Sequence, residues 1–310
     1  MDSADRQLLI ESLRSTFTSA DTDPAAALDE LGWAEAQEAD PAEATTLLFT
    51  EHGRHAATSS LLDRVVLAEI GVDHAGAAVV YPPFGADHVT DEGVALADPA
   101  TVASVWVQRE SGLALLPSGE VSARPVHGFD TARTWWRVHV PPGTAAATPS
   151  TQHPQPPPDA WERAVAAGRR ALAAELNGIT EVLLQNAIRH TSERVQYGRP
   201  IASYQTVRHR LVEGHAVLEA ARSVLDSAWT DGSPWAAAVA KAVAGSAYRD
   251  VARHAMQLCG AVGLTREHHQ HGFVERGALL EELLGSARHL ERELGSRLLA
   301  GLRAPAVVQL

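Results

Sequence analysis

The sequence predicts an α+β protein that is mostly helical and has three structured parts. Helical periodicity runs through about the first 75 residues, short segments rich in Val, Trp and Leu follow between Gly76 and Val140, and strong helical periodicity returns after a proline-rich segment. A chain of 310 residues is long enough for two or three compact units. The predicted parts are an N-terminal helical domain (1–74), a small antiparallel β domain (75–142), a proline-rich linker (143–158), a C-terminal antiparallel four-helix bundle (159–302) and a tail (303–310).

The composition excludes several classes of protein. Asp and Glu outnumber Lys and Arg by 38 to 26, and the resulting net charge of −12 argues against binding to nucleic acid or to an anionic membrane surface. Cys259 is the single cysteine, so neither an intramolecular disulfide nor a cysteine-built metal site can form. The first residues lack the basic flank and apolar run of a secretory signal, and no apolar stretch reaches the roughly 18 residues of a membrane span. We therefore expect a cytoplasmic protein.

The first part is predicted to consist of short amphipathic helices. Apolar residues recur at helical spacing in two groups, first Leu8, Leu9, Ile10 and Leu13, and then Leu28, Leu31 and Trp33. The segment Asp40-Pro41-Ala42-Glu43 offers a capping residue, a proline suited to the first helical position and an acid for the first turn. We expect a helix to begin there.

Five short segments predict the β domain: AAVVYPP, GVALA, ASVWVQRE, GLALLPSG and TWWRVHV. Gly, Pro and Asp separate them at a spacing that favours a small antiparallel sheet over parallel βαβ units. Residues 143–159 read GTAAATPSTQHPQPPPD, which contains too much proline for a helix or a central strand. This segment is interpreted as the linker.

Four long helices with short connections are predicted after the linker. The first runs from Asp159, which can cap it, towards Arg194, and the second runs from about Ser203 to Trp229. The third runs from Trp235 to about Cys259, and the fourth runs from about Phe273 to Leu302. Glycine and proline interrupt the helical pattern between the first three, for example at Gly198-Arg199-Pro200. Long helices joined in this way are typical of an antiparallel four-helix bundle.

Several familiar catalytic sites are absent from the sequence. It contains no GxSxG nucleophile elbow and no GxxxxGK[ST] phosphate loop, and no glutamate is followed three residues later by histidine as a di-iron bundle requires. His268, His269 and His271 form the one histidine-rich cluster. Because adjacent side chains point apart unless a loop wraps around the ion, we interpret this cluster as a polar connecting loop and predict no metal site.

The stretch from Arg194 to Gln205 is the most informative one. An arginine at the end of one helix and a glycine turn precede the start of the next helix, where outward-facing backbone N–H groups could hold a phosphate or pyrophosphate. Taken alone, the pattern favours the simpler interpretation of an arginine that complements the helix dipole, followed by an ordinary turn.

Several motifs after the linker together resemble those of a known protein family. The ordered set R-x-x-[FY]-G-x-P-I-x-x-[FY]-Q, an alanine-rich helix with Lys241, and Q-x-x-G-x-x-G-[LF]-T from Gln257 to Thr265 resembles the C-terminal domain of acyl-CoA dehydrogenases. The resemblance covers residues 159–302. The segment LDELGWAEAQEADPAEATTLLFTEHGRHAATSSLLDRVV also resembles the helical domain of that family in shortened form.

The resemblance implies a flavoprotein that removes two hydrogens across the α and β carbons of an acyl-CoA thioester. In the family a glutamate takes the α-proton, flavin N5 accepts the β-hydride, and the bundle of one subunit reaches the FAD of its neighbour. Carried over by position, Arg194 would contact the FAD pyrophosphate, Tyr197 and Gln205 would lie beside the cofactor, and Gln257 and Gly260 would meet its adenosine side.

The chain departs from the family at the positions that carry the chemistry. The usual base is a glutamate directly before Gly-Thr or Gly-Ser, and Leu284 stands there in this sequence. A minority of relatives place the base on the first bundle helix, at a position equivalent to about Gly168. Glu281 and Glu282 are nearby, and we interpret them as solvated or capping charges because they point in other directions on a helix. The β domain also lacks the family's aromatic-Ala-x-Thr-Glu run and Gly-Ser-Asp, which puts its flavin ring site in doubt.

These departures lead to a hypothesis with two alternatives. The chain resembles the reduced subunit of actinobacterial heteromeric α2β2 acyl-CoA dehydrogenases, several of which act on steroid CoA esters. The implied partner is a full-length acyl-CoA dehydrogenase subunit that shares FAD, supplies the base and the ring site, and works with an acyl-CoA substrate and an electron-transfer acceptor; this chain then contributes no catalytic residue. One alternative is a self-sufficient homo-oligomeric enzyme with Glu281, Glu282 or Glu267 as the base. The other is a flavin-free scaffold.

Overall fold

The N-terminal part is helical, as predicted. The structure is a computed structural model that describes residues 3–19, 24–72, 76–126, 128, 130, 134–144, 156–260, 263, 265, 270–302 and 304. The first five helices are α1 (Ser3–Thr18), α2 (Pro24–Glu30), α3 (Trp33–Ala39), α4 (Pro41–Arg54) and α5 (Leu61–Ile70). The predicted helix start at Asp40 is confirmed, because its Oδ1 accepts the backbone N–H of Glu43 at 3.0 Å.

A six-stranded sheet follows. Its strands are β1 (Ala77–Tyr81), β2 (Glu92–Ala95), β3 (Ser104–Arg109), β4 (Gly112–Pro117), β5 (Ser122–Val126) and β6 (Trp135–His139), in the spatial order β4-β3-β1-β2-β6-β5. The expectation of a fully antiparallel sheet is wrong for one pair: β1 and β3 run parallel, because the chain pairs β2 with one side of β1 and then returns to its other side. The sequence analysis also missed β5, which contains Pro125 and pairs only with β6 as an edge strand, where proline is tolerated.

The two faces of the sheet pack against different partners. Alternate residues of β1 show this, since Val80 belongs to a small core on the outer face while Val79 belongs to the large core shared with the helices. The hydroxyl of Tyr81 donates to Asp63 Oδ1 of α5 at 2.8 Å, which ties the sheet to the N-terminal helices.

The bundle consists of α6 (Ala160–Glu193), α7 (Gln205–Asp231), α8 (Pro234–Cys259), α9 (Gln270–Glu282) and α10 (Ala287–Leu299). The predicted fourth helix is therefore broken, because Leu284 and Gly285 adopt φ values of +57° and +101°. Asp159 is the N-cap residue of α6, but its carboxylate makes no capping hydrogen bond and instead pairs with Arg163. Of the predicted linker, residues 145–155 lie outside the described residues. Among the helices that the structure describes, none combines the length and apolar character that a bilayer-crossing segment requires.

Two glycines allow α4 and α6 to cross closely. A methyl group added at Gly53 would lie 2.1 Å from the carbonyl oxygen of Glu175, and one added at Gly178 would lie 2.2 Å from that of Thr50. Both distances are far below van der Waals contact, so the backbones meet without intervening side chains. This crossing fixes the N-terminal helices on the bundle.

A buried ionic network lies beside that crossing. Glu175 Oε1 accepts from His52 Nδ1 of α4 at 2.9 Å and from Arg276 Nη2 of α9 at 2.8 Å, and Arg276 Nη1 lies 3.7 Å from Asp130 Oδ2. Burial by itself would raise the pKa of Glu175, but its attraction to His52 and Arg276 outweighs burial and lowers the pKa to about 2. The carboxylate therefore stays charged and holds three parts of the chain together.

We predict that Gly178→Ala strongly destabilises the fold. The new methyl group would clash with the backbone of α4, and overpacking of this kind costs about 1–3 kcal/mol or more. The matched control is Gly295→Ala on α10, where an added methyl group meets nothing within 4 Å. There the better helix propensity of alanine should stabilise by about 0.5–1 kcal/mol. Urea unfolding of both variants tests the prediction, and equal effects of the same sign would contradict it.

Candidate functional site

The predicted cofactor residues gather at one end of the bundle. Because consecutive bundle helices run antiparallel, the end of α6, the start of α7 and the end of α8 lie together, and a contact of 3.2 Å between Arg210 Nη1 and His254 Nε2 links α7 to α8 there. Arg194 follows α6, Gln205 begins α7, and Gln257 lies in the last turn of α8. We call this region the hairpin end.

A small hairpin gives the region its shape. Strands β7 (Val195–Gln196) and β8 (Arg199–Pro200) are joined by Tyr197 and Gly198, whose φ values of +53° and +77° suit a two-residue hairpin turn. The hydroxyl of Tyr204 donates to the carbonyl of Gln196 at 3.1 Å, which holds the hairpin against the start of α7. Tyr197 is thereby presented to solvent with 94% of its surface exposed.

The hairpin end offers hydrogen-bond donors and positive charge to an anionic group. Tyr204 is the N-cap residue of α7 and makes no side-chain cap, so the first N–H groups of this helix have no side-chain partner there. Arg194 is exposed, and its guanidinium forms no hydrogen bond or ion pair with the described residues. The surroundings are rich in arginine although the chain carries a net charge of −12. These arginines are Arg189, Arg199, Arg208, Arg210 and Arg253.

Gln257 and Gly260 border the same region. Gln257 is exposed, and Gly260 adopts a φ of +63° with no atom of the described residues within 4 Å of the position that a side chain would take. The backbone there can therefore be approached closely by another molecule. The neighbouring Ala261 lies outside the described residues.

Leu284 and Gly168, the two positions at which the resemblance would place a catalytic base, lie together away from the hairpin end. A methyl group added at Gly168 of α6 would lie 2.7 Å from Leu284 Cδ1, 3.5 Å from Val66 Cγ2 and 3.7 Å from Leu62 Cδ1. Two positions that are far apart in sequence are therefore in direct contact. Neither carries a group that can accept a proton, and aliphatic side chains fill the space between them.

Two basic residues to which the sequence analysis assigned no role at a site hold the turn that carries Leu284. Arg169 Nε donates to the carbonyl of Leu284 at 3.0 Å, and Lys241 Nζ donates to the carbonyls of Glu281 at 2.8 Å and Gly285 at 3.3 Å. Lys241, the single lysine of the chain, is fully buried, and burial together with nearby arginines lowers its pKa to about 7. In the sequence, the position of Lys241 within an alanine-rich helix was the one feature that could have indicated this role.

The two glutamates before Leu284 have different surroundings. Glu281 is buried and its Oε1 accepts the backbone N–H of Ala287 at 2.8 Å, so the expected capping role is confirmed and the solvated one is wrong for this residue. Glu282 is partly exposed and lines a cavity of about 230 Å³ together with Leu284 and Gly285. Burial and the neighbouring Glu281 raise the pKa of Glu282.

The remaining candidates form no site in the described part of the chain. Glu267, His268 and His269 lie outside the described residues. His271 Nε2 lies 2.8 Å from Glu275 Oε1. The described residues contain no group of three His, Cys, Asp or Glu side chains that could hold a metal ion.

The hairpin end and the contact between Gly168 and Leu284 are far apart within one chain. Gly168 and Arg194 are separated by 26 positions along α6, and the helical rise of 1.5 Å per residue places them about 39 Å apart. A cofactor that lies on the hairpin end therefore cannot also reach Leu284 of the same chain.

Comparisons with known proteins agree with this architecture. Residues 159–297 match the family model for the acyl-CoA dehydrogenase C-terminal domain, so this part of the chain is similar to such a domain. The acyl-CoA dehydrogenase IpdE2 of Mycobacterium tuberculosis is 37% identical over 125 residues, which cover 40% of this chain and 39% of that protein. The match thus spans about two fifths of the length of that relative.

Solved structures extend the likeness to the whole fold. The Tcur3481–Tcur3483 steroid ACAD has a TM-score of 0.73 at 21% identity over 96% of both chains. The ChsE4–ChsE5 complex from Mycobacterium tuberculosis has a TM-score of 0.76 at 19% identity, over 98% of this chain and 99% of that one. The predicted acyl-CoA dehydrogenase-like fold is therefore confirmed.

We predict that the free energy of unfolding rises with pH above about 7 because of Lys241. The unfolded lysine keeps its proton up to its ordinary pKa of 10.5, whereas the folded one loses it near 7. Since the unfolded state then binds more protons, a higher pH favours the folded state. In urea titrations across this window, Lys241→Met should flatten the rise. Arg288→Ala, an exposed change on α10, should keep it, and an undiminished rise in the lysine variant would contradict the prediction.

Proposed function

We propose that this chain is a flavin-completing subunit of a heteromeric, FAD-dependent acyl-CoA dehydrogenase. The observation that carries the proposal is the contact between Leu284 and Gly168, which leaves an aliphatic surface where a relative would hold its base. A full-length dehydrogenase subunit would supply the base and the site of the isoalloxazine ring. The proposed assembly is an α2β2 heterotetramer in the cytoplasm.

The residues of the hairpin end would hold part of the shared FAD. Arg194 and the uncapped start of α7 would bind the pyrophosphate, because both offer N–H donors and positive charge to phosphate oxygens. Tyr197 and Gln205 would lie beside the cofactor, and Gln257 and Gly260 would border the adenosine. When bound, FAD accepts the hydride from the β carbon of the acyl-CoA.

The distance between the two ends of the bundle supports sharing. A cofactor on the hairpin end of this chain serves a reaction centre in another chain, since its own Leu284 lies about 39 Å along α6. A carboxylate of the partner would remove the α-proton. This chain would orient the cofactor and exclude water from its phosphate-bearing side, and an electron-transfer acceptor would then take the electrons.

The substrate is proposed to be a CoA ester of steroid type. Support comes from the similar fold of the Tcur3481–Tcur3483 steroid ACAD, whose name joins two proteins as the proposed assembly does. The ChsE4–ChsE5 complex also joins two chains.

A self-sufficient enzyme is the second candidate, and one observation favours it. Glu282 lines the cavity beside Leu284, and burial and the neighbouring Glu281 raise its pKa, which is the direction that favours proton exchange by a carboxylate. In this case copies of the same chain would complete the site for one another, and Glu282 would be the base.

Co-expression with a full-length acyl-CoA dehydrogenase from the same genome tests the proposal directly. We expect a yellow complex with about one FAD per heterodimer, and a colourless, inactive chain when it is purified alone. Native mass spectrometry and flavin absorbance measure both quantities on one sample. Activity with stoichiometric flavin in the isolated chain would contradict the proposal, and a complex without flavin would favour a scaffold.

We predict that Arg194→Ala lowers the flavin content of that complex without dissociating it. Loss of a charge-assisted contact to phosphate costs about 1.5–3 kcal/mol, which weakens FAD binding roughly 10- to 150-fold. The matched control is Arg288→Ala, an exposed arginine on α10 away from the hairpin end. Flavin fluorescence after gel filtration provides the measurement. Equal flavin content in both variants would remove Arg194 from the cofactor site.

We predict that Glu282→Gln leaves turnover of the complex within about twofold of the unchanged protein. The partner supplies the base in this proposal, so the loss of one carboxylate beside Leu284 removes no proton acceptor. Removal of a true general base costs about 10²–10⁴-fold. A loss of that size, with normal flavin content, would instead establish the self-sufficient enzyme.

A further inference from the structure

A second cavity, of about 220 Å³, lies between the sheet and α9. Its walls come from the loop after β1, from the adjacent strands β2, β6 and β5, and from α9. The side chains that matter here are Phe84, Val94, Val126, Trp135 and Leu279. Trp136, the next residue along β6, packs on the opposite face of the sheet. Nothing in the proposed flavin-completing role uses this cavity.

The walls of this cavity are more apolar and aromatic than a surface that only faces water needs to be. Val94 lies opposite Arg137 and Val126 lies opposite Trp135, so neighbouring strands present these side chains at one place. Phe84 is 43% exposed and Val126 is 37% exposed, although both are apolar. Exposed apolar surface that surrounds a concavity is typical of ligand sites.

The polar groups at the cavity favour an uncharged occupant. Arg137 Nη1 lies 3.7 Å from Glu92 Oε2, and both side chains are about half exposed. Their charges offset each other, so neither an anion nor a cation gains from entering. The indole N–H of Trp135 is buried and has no acceptor among the described residues.

The size of the cavity indicates the size of its occupant. A protein cavity of about 150 Å³ lined by apolar side chains accommodates benzene. This concavity is open to solvent on one side, and its volume of about 220 Å³ leaves room for a second fused ring. Aromatic walls favour flat groups, because ring faces and edges pack best against other rings.

We propose that this cavity binds an uncharged, flat group of two fused rings. The ring group lies between the β2–β6–β5 surface and Leu279, with Trp135 in its wall and Phe84 at its edge. This inference concerns the β domain of this chain and does not depend on a partner subunit.

Binding of simple probes to the full-length chain tests the inference. 1-Indanone provides two fused rings, 2-nonanone has the same number of carbon atoms in a linear chain, and lumiflavin provides the larger ring system of flavin. We expect 1-indanone to bind, by saturation-transfer NMR, at least about tenfold more tightly than 2-nonanone or lumiflavin. A preference for the linear ketone, binding of none of the three probes, or a preference for lumiflavin would overturn the proposal.

Variants locate the binding. Phe84→Ala should weaken 1-indanone binding about threefold to tenfold, the range expected for one aromatic contact. The control Leu299→Ala removes a more exposed apolar side chain on α10 and should have no effect. The probe should also change tryptophan emission, and Trp135→Phe should reduce that change while Trp33→Phe, a buried residue outside the cavity, should not. Unchanged affinity in Phe84→Ala, or an emission change that Trp135→Phe leaves intact, would place the probe elsewhere and overturn the proposal.

Discussion

The buried ammonium of Lys241 determines the shape of the region on which the functional interpretation depends. It donates to the carbonyls of Glu281 and Gly285, which face it from the two sides of the break between α9 and α10. Burying a lysine is costly, and the lowered pKa expresses that cost. The break in turn holds Leu284 in a left-handed conformation against Gly168. The turn between α9 and α10 therefore fixes the position of Leu284, although this side chain has no acid–base chemistry.

The hairpin end, at the opposite end of the bundle, is exposed where the region around Lys241 is buried. Around Arg194 and Tyr197 the side chains are exposed and make few contacts within the chain, and the start of α7 has no side-chain cap. Groups that are left available in this way suit a surface completed by another molecule. The buried network around Glu175 connects α4, α6 and α9, and α6 continues without interruption from this network to the hairpin end.

Local patterns predicted much of this framework, and long-range contacts account for what they missed. Helical periodicity identified the long bundle helices, but it continued through the break before α10 because Leu283 and Leu290 both face the interior. The edge strand β5 lacks an apolar pattern and forms only because β6 offers a pairing partner. The motif resemblance named the residues of the hairpin end, and the antiparallel course of the helices explains why they meet. No local signal links Gly168 to Leu284, since only the packing of α6 against the α9–α10 turn brings them together.

The chemistry of amines gives Lys241 a further significance. Thioesters acylate primary amines that are both neutral and accessible, and an amine with a pKa of about 7 is largely neutral under mildly alkaline conditions. The only lysine side chain of this sequence is enclosed completely, and every other basic residue is arginine or histidine. While the chain is folded, no lysine is open to acyl transfer from a reactive metabolite. In the proposed role beside CoA thioesters, this enclosure would protect the chain from acylation of a lysine side chain.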